Sequence, residues 1–108
     1  MSNNTIRIGM PKQAKAGEII SIRTLINHEM ETGFRRDNMG RAVPRRIIHE
    51  FVCIYDGEEV FRAELFPAMA ANPFIQFTTV ATKSGPVVFR WRDDTGQIFT
   101  QTLELQVT

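Results

Sequence analysis

An all-β, immunoglobulin-like sandwich is the fold class the sequence predicts, with about seven strands in two packed antiparallel sheets. Three observations point there. Short runs with apolar residues at every second position recur at even spacing. Turn-forming stretches separate them, Asp56-Gly57, Ser84-Gly85-Pro86 and Asp93-Asp94-Thr95-Gly96 among them. No segment carries a convincing helical periodicity.

Residues 1–108 form one domain, since 108 residues are enough for one and too few for two. At this size roughly 60–70% of the unfolded surface can be buried, so a core can form without disulfide or metal staples. Net charge is +1, which exerts no global pull toward nucleic acid or a membrane surface. The single cysteine, Cys53, excludes an internal disulfide. The opening Met-Ser-Asn-Asn-Thr-Ile-Arg has no basic start followed by an apolar run, so no secretory signal is expected. No apolar run approaches the ~20 residues of a spanning helix.

Thr5 to Met10 is the first predicted strand, stopped by Pro11. Gly17 opens the second, where Ile20, Ile22, Thr24 and Ile26 share one face. Ile47 to Tyr55 is the most apolar strand, with His49, Phe51, Cys53 and Tyr55 on one face and Ile48, Glu50, Val52 and Ile54 on the other. A strand buried on one side only alternates more cleanly, so its second face needs cover from the chain's own loop or from another chain. Asp56-Gly57 turns the chain back into Val60 to Phe66. Pro67 ends that strand, and 68–73 is a short connection with room for one helical turn. Phe74 to Thr82 follows, then Val87 to Arg92 with Val87, Phe89 and Trp91 inward. The last strand, Gln97 to Val107, turns Phe99, Leu103, Leu105 and Val107 inward, with Gln101 among them.

Between residues 27 and 46 the alternation stops. Arg35, Arg36, Arg41, Arg45 and Arg46 are five of the chain's 13 basic residues, and Glu29, Glu31 and Asp37 lie among them. An irregular connection of this length in a small domain is usually functional or disordered. Met30, Phe34 and Met39 argue against plain disorder. The mixture of Arg, Met and aromatic side chains is that of a protein-recognition surface.

Other chemistries find little footing. His49 and Cys53 share a strand face but lie about 13 Å apart along it, so they form no nucleophile–base pair. The apolar neighbours of Cys53 predict a buried thiol with a raised pKa. His28, Glu29, Glu31 and Asp37 lack the spacing of a zinc site, and His28 is read as a strand-end residue bonded to the loop backbone. Glu58-Glu59 and Asp93-Asp94 form no two-carboxylate acid–base site, because neighbours on a strand point to opposite faces, and are read as exposed turn acids. The loop's acids cancel much of its positive field, and only Phe34 interleaves with its arginines, against a nucleic-acid surface. The chain is read as a non-enzyme with no cofactor and no metal.

The sequence also resembles a known family over nearly its whole length. Lys15-Ala16-Gly17-Glu18 opens a strand ending in His28-Glu29-Met30-Glu31-Thr32-Gly33. Arg35-Arg36-Asp37, Gly40 and Val43-Pro44-Arg45 follow. Ile47-Ile48, Phe51-Val52-Cys53, Asn72-Pro73-Phe74 and Trp91-Arg92-Asp93-Asp94-Thr95-Gly96 complete the ordered set. This set is similar to the SoxZ subunit of the bacterial sulfur-oxidising (Sox) system. His49-Glu50 departs from it, standing where the family carries Asn or similar and then a basic residue.

The resemblance implies a heterodimer with SoxY, whose C-terminal Gly-Gly-Cys-Gly-Gly arm carries sulfur intermediates covalently during thiosulfate oxidation. It implies a scaffold role for this chain, transient docking of other Sox enzymes, and a periplasmic location reached by co-export with a signal-bearing partner. It implies no nucleic-acid or membrane partner. Met30, Glu31, Thr32, Gly33, Phe34, Arg35 and Arg36 are the candidate recognition residues, and Phe51, Cys53 and Tyr55 the candidate contact face. Arg35 and Arg36 are placed to attract an anionic adduct. A stand-alone binding or adhesion module, a small hydrolase and a nucleic-acid-binding domain remain as other classes.

Overall fold

The computed structural model describes residues 5–66 and 71–108. Eight strands form, and no helix does among the described residues. They are β1 (Ile6–Gly9), β2 (Gln13–Ala14), β3 (Ile19–Ile26), β4 (Ile48–Tyr55), β5 (Glu58–Glu64), β6 (Phe74–Val80), β7 (Gly85–Asp93) and β8 (Ile98–Val107). The strand beyond the predicted seven is β2, too short at two residues to leave a periodic pattern. Residues 68–70 of the predicted connection 68–73 lie outside the described residues.

The strands make a three-stranded sheet, β1-β3-β6, packed on a five-stranded one, β2-β8-β7-β4-β5. Every pairing is antiparallel except β2 with β8, which is parallel through Gln13–Gln106 and Ala14–Val107. The predicted faces of β3 and β7 hold: Ile20, Ile22, Thr24 and Ile26 are buried, as are Val87, Phe89 and Trp91.

Phe51 sits at the middle of the core. Its ring centroid lies 5.1 Å from Trp91, 6.0 Å from Phe77, 6.1 Å from Phe61 and 6.5 Å from Phe89. Phe61 of β5 and Phe77 of β6 stack at 4.4 Å and 9°, closing the sandwich along that side. The face of β4 proposed for partner contact is therefore the interior one. Phe51 and Cys53 are 0% exposed and Tyr55 4%, all within this chain's own core. Val52 on the opposite face is also covered, and its register partners are Arg62 on β5 and Arg90 on β7. The aliphatic stems of those arginines supply the cover that the sequence pattern left unassigned.

Tyr55 also pins the end of β4 to the β6–β7 connection. Its hydroxyl oxygen accepts the N–H groups of Thr82 and Lys83, each at 3.1 Å, and its O–H donates to the Lys83 carbonyl. Tyr55→Phe is expected to cost about 1–2 kcal/mol, because three backbone groups lose one common partner. Urea unfolding checks this; an unchanged midpoint would show that water replaces the hydroxyl without loss.

Candidate functional site

The chain between β3 and β4 is a two-stranded arm rather than an irregular loop. Glu31 and Arg46 exchange both backbone hydrogen bonds at its root, each 2.7 Å. The Val43 N–H donates to the Arg35 carbonyl at 2.9 Å, and Arg36 bridges Ala42. At the tip, the Asp37 carboxylate accepts the N–H groups of Met39 and Arg41, both at 2.9 Å, across a turn with Gly40 at φ 79°. The molecule measures 59 × 25 × 19 Å, against the roughly 34 Å that a ten-residue strand spans. Its radius of gyration is 16.2 Å, where a compact domain of this length gives about 13 Å.

Ion pairs run along it. Arg35 donates to Glu31 at 2.7 Å, and Arg41 Nε lies 3.3 Å from Asp37. Arg45 grips Asp94 through two bonds of 2.8 and 2.9 Å. Asp94 in turn accepts the Ile47 N–H at 3.2 Å and donates its own N–H to the Ile47 carbonyl at 3.0 Å, so the arm's base is tied to the end of β7. Arg36 alone among these arginines has no carboxylate partner among the described residues; its guanidinium donates to the Gly40 carbonyl at 2.8 Å. The anion attraction expected of Arg35 and Arg36 together thus falls mainly to Arg36.

The ten candidate residues divide sharply. Phe34 is 83% exposed, and Met39, which sequence reasoning left out of the candidate set, is 75% exposed. Arg35 and Arg36 are also exposed, while Glu31, Thr32 and Gly33 are half-covered. Gly33 has φ 89°, and a Cβ there would meet the Arg45 Cβ at 3.0 Å, so the two limbs of the arm close only over glycine. Met30 is 4% exposed and belongs to the core. It holds φ 55°, a left-handed conformation uncommon outside glycine. Two bonds hold it there: its N–H donates to His28 Nδ1 at 3.0 Å, and its sulfur accepts the Ile48 N–H at 3.3 Å.

His28 is thus a strand-end residue bonded to the loop backbone, as read from the sequence. Because Nδ1 accepts, the neutral ring carries its proton on Nε2. That nitrogen faces Asp93 Oδ2 at 3.9 Å, and Arg46 Nε faces the same oxygen at 3.7 Å. Asp93 is not an exposed turn acid; it is 1% exposed. Its other oxygen, Oδ1, accepts the Thr95 hydroxyl at 2.6 Å and the N–H groups of Thr95 and Gln97 at 2.9 and 3.0 Å. The Asp-Asp-Thr-Gly stretch carried this signal, since an Asp side chain before a tight turn commonly bonds the backbone two residues on.

Burial pushes the Asp93 carboxyl up, but the Thr95 and Gln97 hydrogen bonds and the Arg46 charge outweigh it and hold it below the usual range. Desolvation, then the Arg46 charge, lower His28 below its ordinary 6.5; the Asp93 charge opposes them without prevailing. The folded chain therefore keeps His28 neutral where an unfolded chain takes up a proton. The stability this represents is whole above about pH 6.5 and is lost as pH falls toward the lowered folded value. Unfolding free energy is expected to drop between about pH 7 and pH 5, and to drop less in His28→Gln. Equal slopes in the two proteins would contradict this origin.

Curated sequences give no match. Among solved structures, superoxide reductase (neelaredoxin) from Ignicoccus hospitalis superposes with a TM-score of 0.74 at 19% identity, covering 96% of this chain and 80% of that one. The sulfur carrier protein SoxY from Chlorobium limicola f thiosulfatophilum superposes with a TM-score of 0.67 at 14% identity, covering 95% and 78%. At such identities these likenesses establish the β-sandwich fold alone. The family model described as sulphur oxidation protein SoxZ matches residues 6–104. From β1 through most of β8, then, this chain belongs to the SoxZ family.

Proposed function

We propose that this chain is the non-catalytic scaffold subunit that pairs with SoxY and holds it while covalently bound sulfur intermediates are presented to other Sox enzymes during thiosulfate oxidation. The family match over residues 6–104 carries this reading. The carrier thiol belongs to the partner. Cys53 is fully buried, and desolvation pushes its thiol up to about 12, so it offers no thiolate for loading sulfur at neutral pH. Transit to the periplasm in company with a signal-bearing SoxY completes the reading.

The division of labour within the chain follows from burial. Phe51, Cys53, Tyr55 and Met30 act from inside, as the support on which the surface rests. The arm presents Phe34, Met39 and Arg36 outward from a root fixed by Met30, Arg45 and Asp94. An exposed aromatic and an exposed thioether on a braced hairpin form an apolar contact for a visiting enzyme, with Arg36 beside them to favour a negative adduct.

Affinity purification of the chain from its host's periplasmic fraction, with intact-mass analysis, tests the pairing. SoxY ending in Gly-Gly-Cys-Gly-Gly, part of it heavier by sulfur-containing adducts, is the expected companion; recovery of this chain alone would refute the scaffold role. In the reconstituted pathway, Phe34→Ala with Met39→Ala is expected to lower turnover about tenfold and leave SoxY pairing intact. Unchanged turnover would remove the arm from enzyme recognition.

A further inference from the structure

The outer edge of β8 is open along most of its length. β2 pairs with Gln106 and Val107 only, and no described residue pairs with β8 on that side from Ile98 to Leu105. The N–H groups of Gln106 and Thr108 point to this edge, donating to the Lys12 and Ala14 carbonyls at 3.0 Å each. By the same alternation, Ile98, Thr100, Thr102 and Glu104 turn their N–H and C=O groups toward it, while the residues between them bond β7.

Where the open run meets β2, a groove of about 510 Å³ lies between β1 and β8, with Ile8, Met10 and Leu103 as its apolar lining and Lys12, Gln13, Glu104 and Gln106 at its rim. Gln101 confirms that cover is missing here. It points inward, in register with the fully buried Phe89, yet it is exposed. Edge strands normally carry charge that discourages pairing. β5, the edge strand at the far side of the same sheet, does so with Glu58, Glu59, Arg62 and Glu64. The open run of β8 carries only Glu104. β6 is likewise uncharged, but the Phe61–Phe77 stack lies across its side of the sandwich, and the groove of about 450 Å³ that remains between β5 and β6 is lined by Asp56, Glu58 and Lys83, charges that discourage an apolar strand.

We infer that the β8 edge receives an extended strand of SoxY, whose backbone continues the five-stranded sheet and whose alternate apolar side chains fill the groove between Ile8, Met10 and Leu103. The inference rests on the pairing proposed above and adds where it occurs. An extended backbone satisfies donors and acceptors that alternate every second residue, and apolar side chains at every second position of it would meet Ile8, Met10 and Leu103. The known SoxY structure has the same sandwich fold, so such a partner brings sheet edges of its own.

Amide hydrogen exchange, read by NMR on the full chain alone and in its complex with SoxY, tests this. The amides of Thr100, Thr102 and Glu104 are expected to exchange freely in the isolated chain and at least about a hundredfold more slowly in the complex; those of Gln101 and Leu103 are protected in both. A one-to-one complex in which the three amides stay unprotected would overturn the inference and leave the pairing standing. Absence of any complex would overturn both. Protection already present in the free chain and lost on dilution would assign the edge to a second copy instead. Thr102→Pro removes a donor that faces away from β7, so the β7–β8 ladder survives while SoxY affinity is expected to fall at least about tenfold. Unchanged affinity in that folded variant would also overturn the inference, and if the variant does not fold, the exchange result on the natural chain decides.

Discussion

A three-stranded sheet covers only part of a five-stranded one, and most of this molecule follows from how the margin left over is managed. Where the sheets overlap, Phe51, Phe77, Phe89 and Trp91 pack in a continuous aromatic core. At the β5 margin, Phe61 stacks on Phe77, and charged side chains guard the backbone edge. At the β8 margin no described residue does the same, and β2 supplies two residues of cover for a strand of ten. Half-buried Ile8, Met10, Leu103 and Val107 there lie beside backbone that no described residue pairs, which is the ground for the docking proposed at this edge.

The arm is organised differently, by polar groups in a dry setting. Asp93 turns one oxygen to the β7–β8 turn and the other toward His28 and Arg46, so one buried carboxylate connects the end of β3, the root of the arm and the turn. Asp94, its neighbour, binds Arg45 and Ile47. The last residue of β7 and the first of the turn after it thus brace the same hairpin. The left-handed backbone at Met30 persists because the His28 ring and the Ile48 N–H fix it from two directions. Such bracing suits an element that presents Phe34 and Met39 to solvent, since a rigid hairpin loses less freedom on binding than a loose loop.

Strand faces were legible because burial on one side imposes a period of two. β3, β7 and β8 all turn inward the residues that the alternation selects, even Gln101. The double apolarity of β4 was legible too, but not its cause. Val52 is covered by arginine stems from neighbouring strands, a tertiary contact that no local pattern encodes. The same limit hid the arm's hairpin character, since its backbone pairs join residues up to fifteen apart, Glu31 with Arg46, through a stretch without alternation. Asp93 was misread because a charged residue beside a turn is ordinarily solvated; five polar groups around it reverse that expectation.

Three features stand together: an arm braced by ion pairs, a sheet edge that no described residue covers along most of β8, and a buried cysteine unsuited to carry sulfur. The most direct test is calorimetric titration of the purified chain with purified SoxY over several temperatures. A one-to-one complex with a clearly negative heat-capacity change is the expected result, because pairing would bury apolar groove surface. No heat of binding at any temperature, with both chains folded, would contradict the account.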